Sequence, residues 1–244
     1  MIAPARHSER SEESLYFRGE RSDPIIVRRY CCYFERNSQM HYWRQQDFKT
    51  LKNTAAAAVN ASPHWQAYAD FCLEYERWFR NQAFLILERF IGRIEREPFL
   101  ERRRFVSWLM NIAEGQDGRH MLIPHPLKVR VVEPTLLEWV EVEPLSSEPH
   151  RWIGDLEHLE RAVELDPTDH IALKKLIIVL LSRVGYATHE LPYGYLGSVS
   201  EDLATLSKIE ALLPRLPNED DRAAYAVDVA EERYSIHKYL RKQS

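Results

Sequence analysis

His189 and Glu190 stand side by side in the stretch GYATHELPYGYLGSV (185–199), and Tyr193 and Tyr195 follow within six residues. An imidazole next to a carboxylate can move a proton or hold a metal ion, and neighbouring phenols can orient a small ligand. A second chemistry fits the same residues: the His–Glu pair ties the loop to adjacent helices while the tyrosines pack. Loops of this length serve as plugs as well as sites, so both readings stand.

Other chemistry-bearing groups are scattered. His120 and His125 flank MLIP, with His150 further on, and the five-residue spacing without an intervening helical Glu is not that of a zinc-protease helix. The three cysteines include the neighbours Cys31 and Cys32 and form no CxxC pair, which points to reduced thiols. No metal and no cofactor is expected. The chain has no GxxxxGK[ST], no GxGxxG and no GxSxG, so nucleotide binding and serine-hydrolase chemistry lack a motif. EREPFLERRRF (95–105) gathers Arg96, Arg102, Arg103 and Arg104 near Phe99 and Phe105, a set able to meet phosphate or RNA. Glu95, Glu97 and Glu101 interleave with them and suit an ion-paired helix start better. With 33 Lys and Arg against 37 Asp and Glu, the formal charge of −4 argues against a dedicated nucleic-acid binder.

The elements that would position these groups are mostly helices. Residues 1–24 are polar and read as a mobile tail, with no secretory pattern, so a cytoplasmic protein is expected. IIVRRYCCYF (25–34) reads as a short strand or packed extended arm, and Ser38 opens a helix. Ser62-Pro63 caps a stretch in which Trp65, Tyr68, Cys72, Tyr75 and Phe79, then Ala83, Ile86, Phe90 and Ile94, recur at three or four residues. Its length predicts a break near Arg80-Asn81. Another helix follows Pro98 and stops around 115–118, closing an N-terminal helical part at 25–118. Residues 119–150 hold five prolines, and LKVRVV (127–132) and WVEVE (139–143) alternate apolar and polar, which predicts a small β hairpin or an extended linker. Helices resume at 152–165, 168–184, 200–213 and 218–241, with start signals at Ser198 and Asn218. LIIVLL (176–181), the longest strictly apolar run, is far too short for a membrane span.

RAVELDPTDHIALKKL (161–176) resembles the seam between two tetratricopeptide repeats. Ala162 lies five residues before Pro167, Leu159 fills the large place a turn earlier, and Leu173 and Leu176 match the large residue and leucine of the next helix. Ile177 stands where the family has glycine and Leu180 where it has tyrosine, and no regular 34-residue period runs along the chain. The resemblance implies a mainly α fold of helical hairpins over 151–244, with a relic repeat at 200–213. It also implies a non-catalytic module that binds a protein or peptide. Lys174 occupies a place where some members hold a lysine that clamps a peptide carboxylate. Ile178 replaces the asparagine of that clamp, so the expectation is a weak contact of Lys174 and Lys175 with an acidic segment. The alternatives are a small-ligand binder or enzyme using His189, Glu190 and Tyr193, or a structural subunit without a groove. Helix 168–184 is apolar on most sides, which predicts burial on most sides.

Overall fold

The computed structural model describes residues 45–116 and 118–243. The tail at 1–24, the strand or arm at 25–34, the helix start at Ser38 and the thiols Cys31 and Cys32 lie outside the described residues. Among those described, every regular element is a helix.

Helix α1 (Gln45–Ala61) leads to Ser62, whose hydroxyl accepts the His64 amide at 3.3 Å. Pro63–Trp65 then forms a 3₁₀ turn before α2 (Gln66–Glu76). The break anticipated in the long apolar stripe falls at 77–79, slightly ahead of Arg80-Asn81. Trp78 takes a left-handed φ of 67° there, so α3 (Arg80–Ile94) folds back on α2. Phe79 is consequently 59% exposed, although its spacing suggested core. Pro98 starts α4 (Phe99–Ala113). Trp65, Tyr68, Phe90 and Phe105 form the aromatic centre, and the Tyr68 hydroxyl donates to the Leu122 carbonyl at 2.8 Å.

The middle segment corrects the hairpin expectation. Residues 119–153 form α5 (Arg119–Leu122), α6 (His125–Leu127), a π-helical turn (Lys128–Val132), α7 (Glu133–Val142) and α8 (Ser147–Ile153). Each proline sits where a helix tolerates it. Pro126 and Pro134 occupy first-turn positions, Pro149 lies in the first turn of α8, and Pro144 follows the end of α7. A first-turn N–H has no intrahelical partner, so its loss costs little there. Pro134 would crowd the carbonyl four residues back in a regular helix, and the wide π turn just before it gives the ring room. The apolar alternation was misleading because Val129 is 43% exposed, whereas Leu127, Val131, Val132, Leu136 and Trp139 are buried. That set has helical spacing.

Gly154, at φ 81°, ends α8, and Asp155 caps α9 (Leu156–Leu165) by accepting the His158 amide at 2.8 Å. Thus 152–165 is two helices. Asp169 accepts the Ala172 amide at 2.9 Å and opens α10, which runs His170–Thr188. Helices α11 (Val199–Leu212) and α12 (Glu219–Gln243) complete the chain; Ser198 and Asn218 cap them.

Two apolar clusters result. One runs from Leu51 to Trp152, the other from Leu159 to Ile236 with α10 at its centre. In the second, Glu160 on α9 pairs with Lys208 on α11, and the Pro167 carbonyl after α9 accepts from Arg215 after α11. Both pairs are 48 residues apart, so α9 and α11 run parallel. Lys174 reaches Asp221 and Thr188 reaches Glu232, so α12 runs parallel to α10. Helix α10 packs against α9, α11 and α12, and α12 also packs against α11.

Candidate functional site

The α10–α11 loop begins at His189, because α10 extends past Gly185 to Thr188. His189 Nε2 lies 2.9 Å from Glu190 Oε1, and its Nδ1 lies 2.6 Å from the Tyr186 carbonyl. The ring also stacks on Tyr186 at 5.2 Å. Both ring nitrogens face acceptors of the chain itself. Tyr193 points away and is 94% exposed. So the structure brings His189 and Glu190 together and leaves Tyr193 outside the pair.

The remainder of the loop is fastened down. The Leu196 amide donates to the Ala187 carbonyl at 3.0 Å, and the Tyr195 hydroxyl donates to Asp202 Oδ2 at 2.6 Å. Burial, then the Asp202 carboxylate, push the Tyr195 phenol above its ordinary value. A Cβ at Gly197 would come within 2.8 Å of Asp202 Oδ2 and 3.0 Å of Ala187 Cβ, so only glycine lets the loop approach this closely. At the foot of the loop, the Thr188 hydroxyl donates to Glu232 at 2.6 Å.

The two lysines diverge, as consecutive helical residues must. Lys174 Nζ meets Asp221 Oδ2 of α12 at 2.8 Å and its side chain stays 44% exposed. Lys175 turns toward the first cluster, 3.0 Å from Glu114 Oε2 and 4.1 Å above the Trp152 ring. Burial pulls the Lys175 ammonium down, with Glu114 opposing. Beside it Arg151 spans to Asp169 at 3.0 Å and lies 4.4 Å from the Trp152 ring centroid. Arg151 and Glu114 carried no signal in the periodicity; their partners come from distant helices.

Arg102 and Arg103 are ion-paired, but to α7 and its C-cap and not to the interleaved glutamates. Arg102 meets Glu138 at 2.6 Å, and Arg103 pairs with Glu143 while covering Trp139 at 4.5 Å. Arg104 lies over Trp65. Glu95 instead receives Arg130 at 2.7 Å and is held below the usual carboxylate range by it. A cleft of about 200 Å³ beside this region is lined by Trp65, Arg93, Glu97, Glu101 and Arg104. Arg93 already donates to the His64 carbonyl there.

No protein-family model matches the chain, and comparison with curated proteins and with solved structures finds no match.

Among the histidines, His120 and His125 are exposed, in α5 and α6. His150 is buried, and its Nδ1 lies 2.7 Å from Nδ1 of His158. Gly154 makes that meeting, since its left-handed turn folds α9 against α8. Among the described residues, no group of three or more His, Cys, Asp or Glu is arranged to hold a metal ion. Cys72 is buried and free, and burial pushes its thiol up to about 12. No described helix is long and apolar enough to cross a membrane.

Proposed function

We propose that the chain is a non-catalytic protein-interaction module whose partner meets the C-terminal helical stack. The observation that carries this is the repeated offset: α9 and α11 are joined by two contacts, each 48 residues apart, and α10 and α12 by Lys174–Asp221 and Thr188–Glu232, 47 and 44 residues apart. Stacked helical pairs of this kind build extended surfaces for other proteins. The resemblance of the α9–α10 seam to tetratricopeptide repeats lends support, with Leu159 and Ala162 buried where that family packs its helices. The 48-residue spacing is longer than that family's 34, which makes the stack a distant variant of the plan.

On this reading the partner presents an acidic segment, and Lys174 receives it in exchange for Asp221. Lys175, enclosed by Glu114 and Trp152, does not take part. A contact to one half-exposed ammonium is weak and salt-sensitive, contributing about 1 kcal/mol or less. Wild type and Lys174→Glu, both shown folded by circular dichroism, are compared in pull-downs from the native host read by mass spectrometry. The variant should lose partners that Asp221→Asn, which frees Lys174, recovers in greater yield. Identical partners at identical yield from all three would reject this surface.

A structural subunit without a groove is the second reading. It draws on α10, where Leu173, Leu176, Ile177, Leu180, Leu181 and Val184 are all buried and close the space a groove would need. It predicts no partner loss in Lys174→Glu.

A further inference from the structure

Among the described residues, helix α12 is the last layer of the stack. Its inward stripe is Tyr225, Val229 and Ile236, all buried against α10 and α11. The opposite face carries four residues at strict seven-residue intervals: Asp220, Val227, Tyr234 and Arg241. All four are exposed, Val227 by 57% and Tyr234 by 60%. Ala223 and Ala230 lie between them on the same face, also exposed and small enough for a second backbone to come close. Val227 and Tyr234 make a short apolar strip on this outward face, flanked at the same spacing by Asp220 and Arg241, a face that a second helix can cover.

The charges choose the mate and its direction. The first turn of α12 holds Glu219, Asp220 and Asp221, and the last holds Arg241 and Lys242. A parallel copy would set acid against acid. An antiparallel copy sets each acidic start on a basic end, with opposed helix dipoles. Residues equally far from the midpoint between Ala230 and Glu231 then face one another: Asp220 with Arg241, and Val227 with Tyr234. Both the apolar pair and the charge pair close in one register. A single surface complementary to itself in this way is the signature of a two-fold interface.

We propose that α12 pairs with α12 of a second copy of this chain, antiparallel about a two-fold axis near Ala230. The contact is one helix on one helix, smaller than the roughly 800 Å² per partner of a standard interface. The dimer is therefore reversible, with a dissociation constant on the order of micromolar.

Sedimentation velocity on the full chain tests this across about 1 to 500 µM, a range that brackets such a constant. Wild type should pass from monomer to dimer, and Tyr234→Glu should weaken association at least about tenfold. Asp220→Arg and Arg241→Asp should each be monomeric alone, since each sets like charges together. Mixed in equal amounts they should dimerise, because both cross-pairs then have opposite sign. Circular dichroism shows each variant folded, as exposed positions allow. A wild type that stays monomeric throughout, a dimer that Tyr234→Glu leaves unchanged, or a mixture no more associated than its components would each overturn the proposal.

Discussion

Replacing Asp169 by alanine removes two interactions at the α9–α10 seam. Oδ1 accepts the Ala172 amide at 2.9 Å, and losing such a cap costs about 1 kcal/mol. Oδ2 holds Arg151 at 3.0 Å, with the two side chains only 2% and 15% exposed. Stranding a guanidinium in a fully buried pair costs roughly 3–5 kcal/mol. Here the cost is lower, about 2 kcal/mol, because Glu148 remains 3.7 Å from Arg151 and Trp152 still stacks on it. The expected loss is therefore about 3 kcal/mol, or a fall of about 6–12 °C in Tm for a chain of this size. Asp169→Asn keeps an acceptor for Ala172 and removes only the charge, so it should lose about 2 kcal/mol. Urea denaturation followed by far-ultraviolet circular dichroism measures both. If Asp169→Ala falls within about 0.5 kcal/mol of wild type, neither the cap nor the ion pair holds the seam as argued.

Ala162 is fully buried between α9 and α10, so Ala162→Trp should lose about 1–3 kcal/mol in the same urea assay, and an unchanged midpoint would mean the helices do not cross closely there. Gly197→Val should detach the Tyr195–Asp202 end of the loop, read as faster limited proteolysis at 189–198, since its Cβ would sit 2.8 Å from Asp202 Oδ2; equal cleavage rates would refute the close approach. Burial, then His158 and Arg161, hold the His150 imidazole below its ordinary 6.5, with Asp155 opposing. Its contribution to stability is therefore full above pH 6.5 and lost as the pH falls through the lowered folded value. Thermal melts over that window should show the loss, and His150→Gln should flatten it; identical slopes would count against the pairing. Dialysis against a strong chelator should leave Tm unchanged, and a fall reversed by zinc would contradict the absence of a ligand set among the described residues.

Local chemistry was legible in the sequence where it acts within a few residues. Ser62, Asp169, Ser198 and Asn218 each announce a helix start by type and position, and each accepts a backbone amide where expected. Proline density misled at 119–150, because position within a helix, and not number, decides what proline does. Long-range pairing left no trace. Arg102 finds Glu138 36 residues away and Lys174 finds Asp221 47 residues away, distances that no periodicity encodes. For the loop at 189–198, His189 and Glu190 do pair, but the acceptor at Nδ1 is a backbone carbonyl, which every residue carries and which therefore marks nothing in a sequence.

Trp152 shows how the two apolar clusters are held to each other. It is the last buried residue of the first cluster, and two cations of different helices press on its ring, Arg151 at 4.4 Å and Lys175 at 4.1 Å. Two like charges on one indole are tolerable only with neutralisation close by. Glu114 supplies it for Lys175, and Asp169 with Glu148 for Arg151. These groups come from the end of α4, from α8 and from either side of the start of α10, so the set spans both clusters. Apolar burial is non-directional and holds each cluster compact, whereas ion pairs and hydrogen bonds fix angles and distances. The placement of α10 against α8 therefore depends on a partly buried polar set whose members act together. Breaking any one strands another in a low-dielectric setting. Neutralising Lys175 as Lys175→Met should accordingly cost less than Glu114→Ala: methionine keeps the contact with Trp152 and leaves Glu114 beside Arg119 at 3.8 Å, while alanine at 114 strands a half-buried ammonium. Equal losses in urea denaturation would mean that stranding the Lys175 ammonium costs no more than removing it, and the charge balance argued here would not hold.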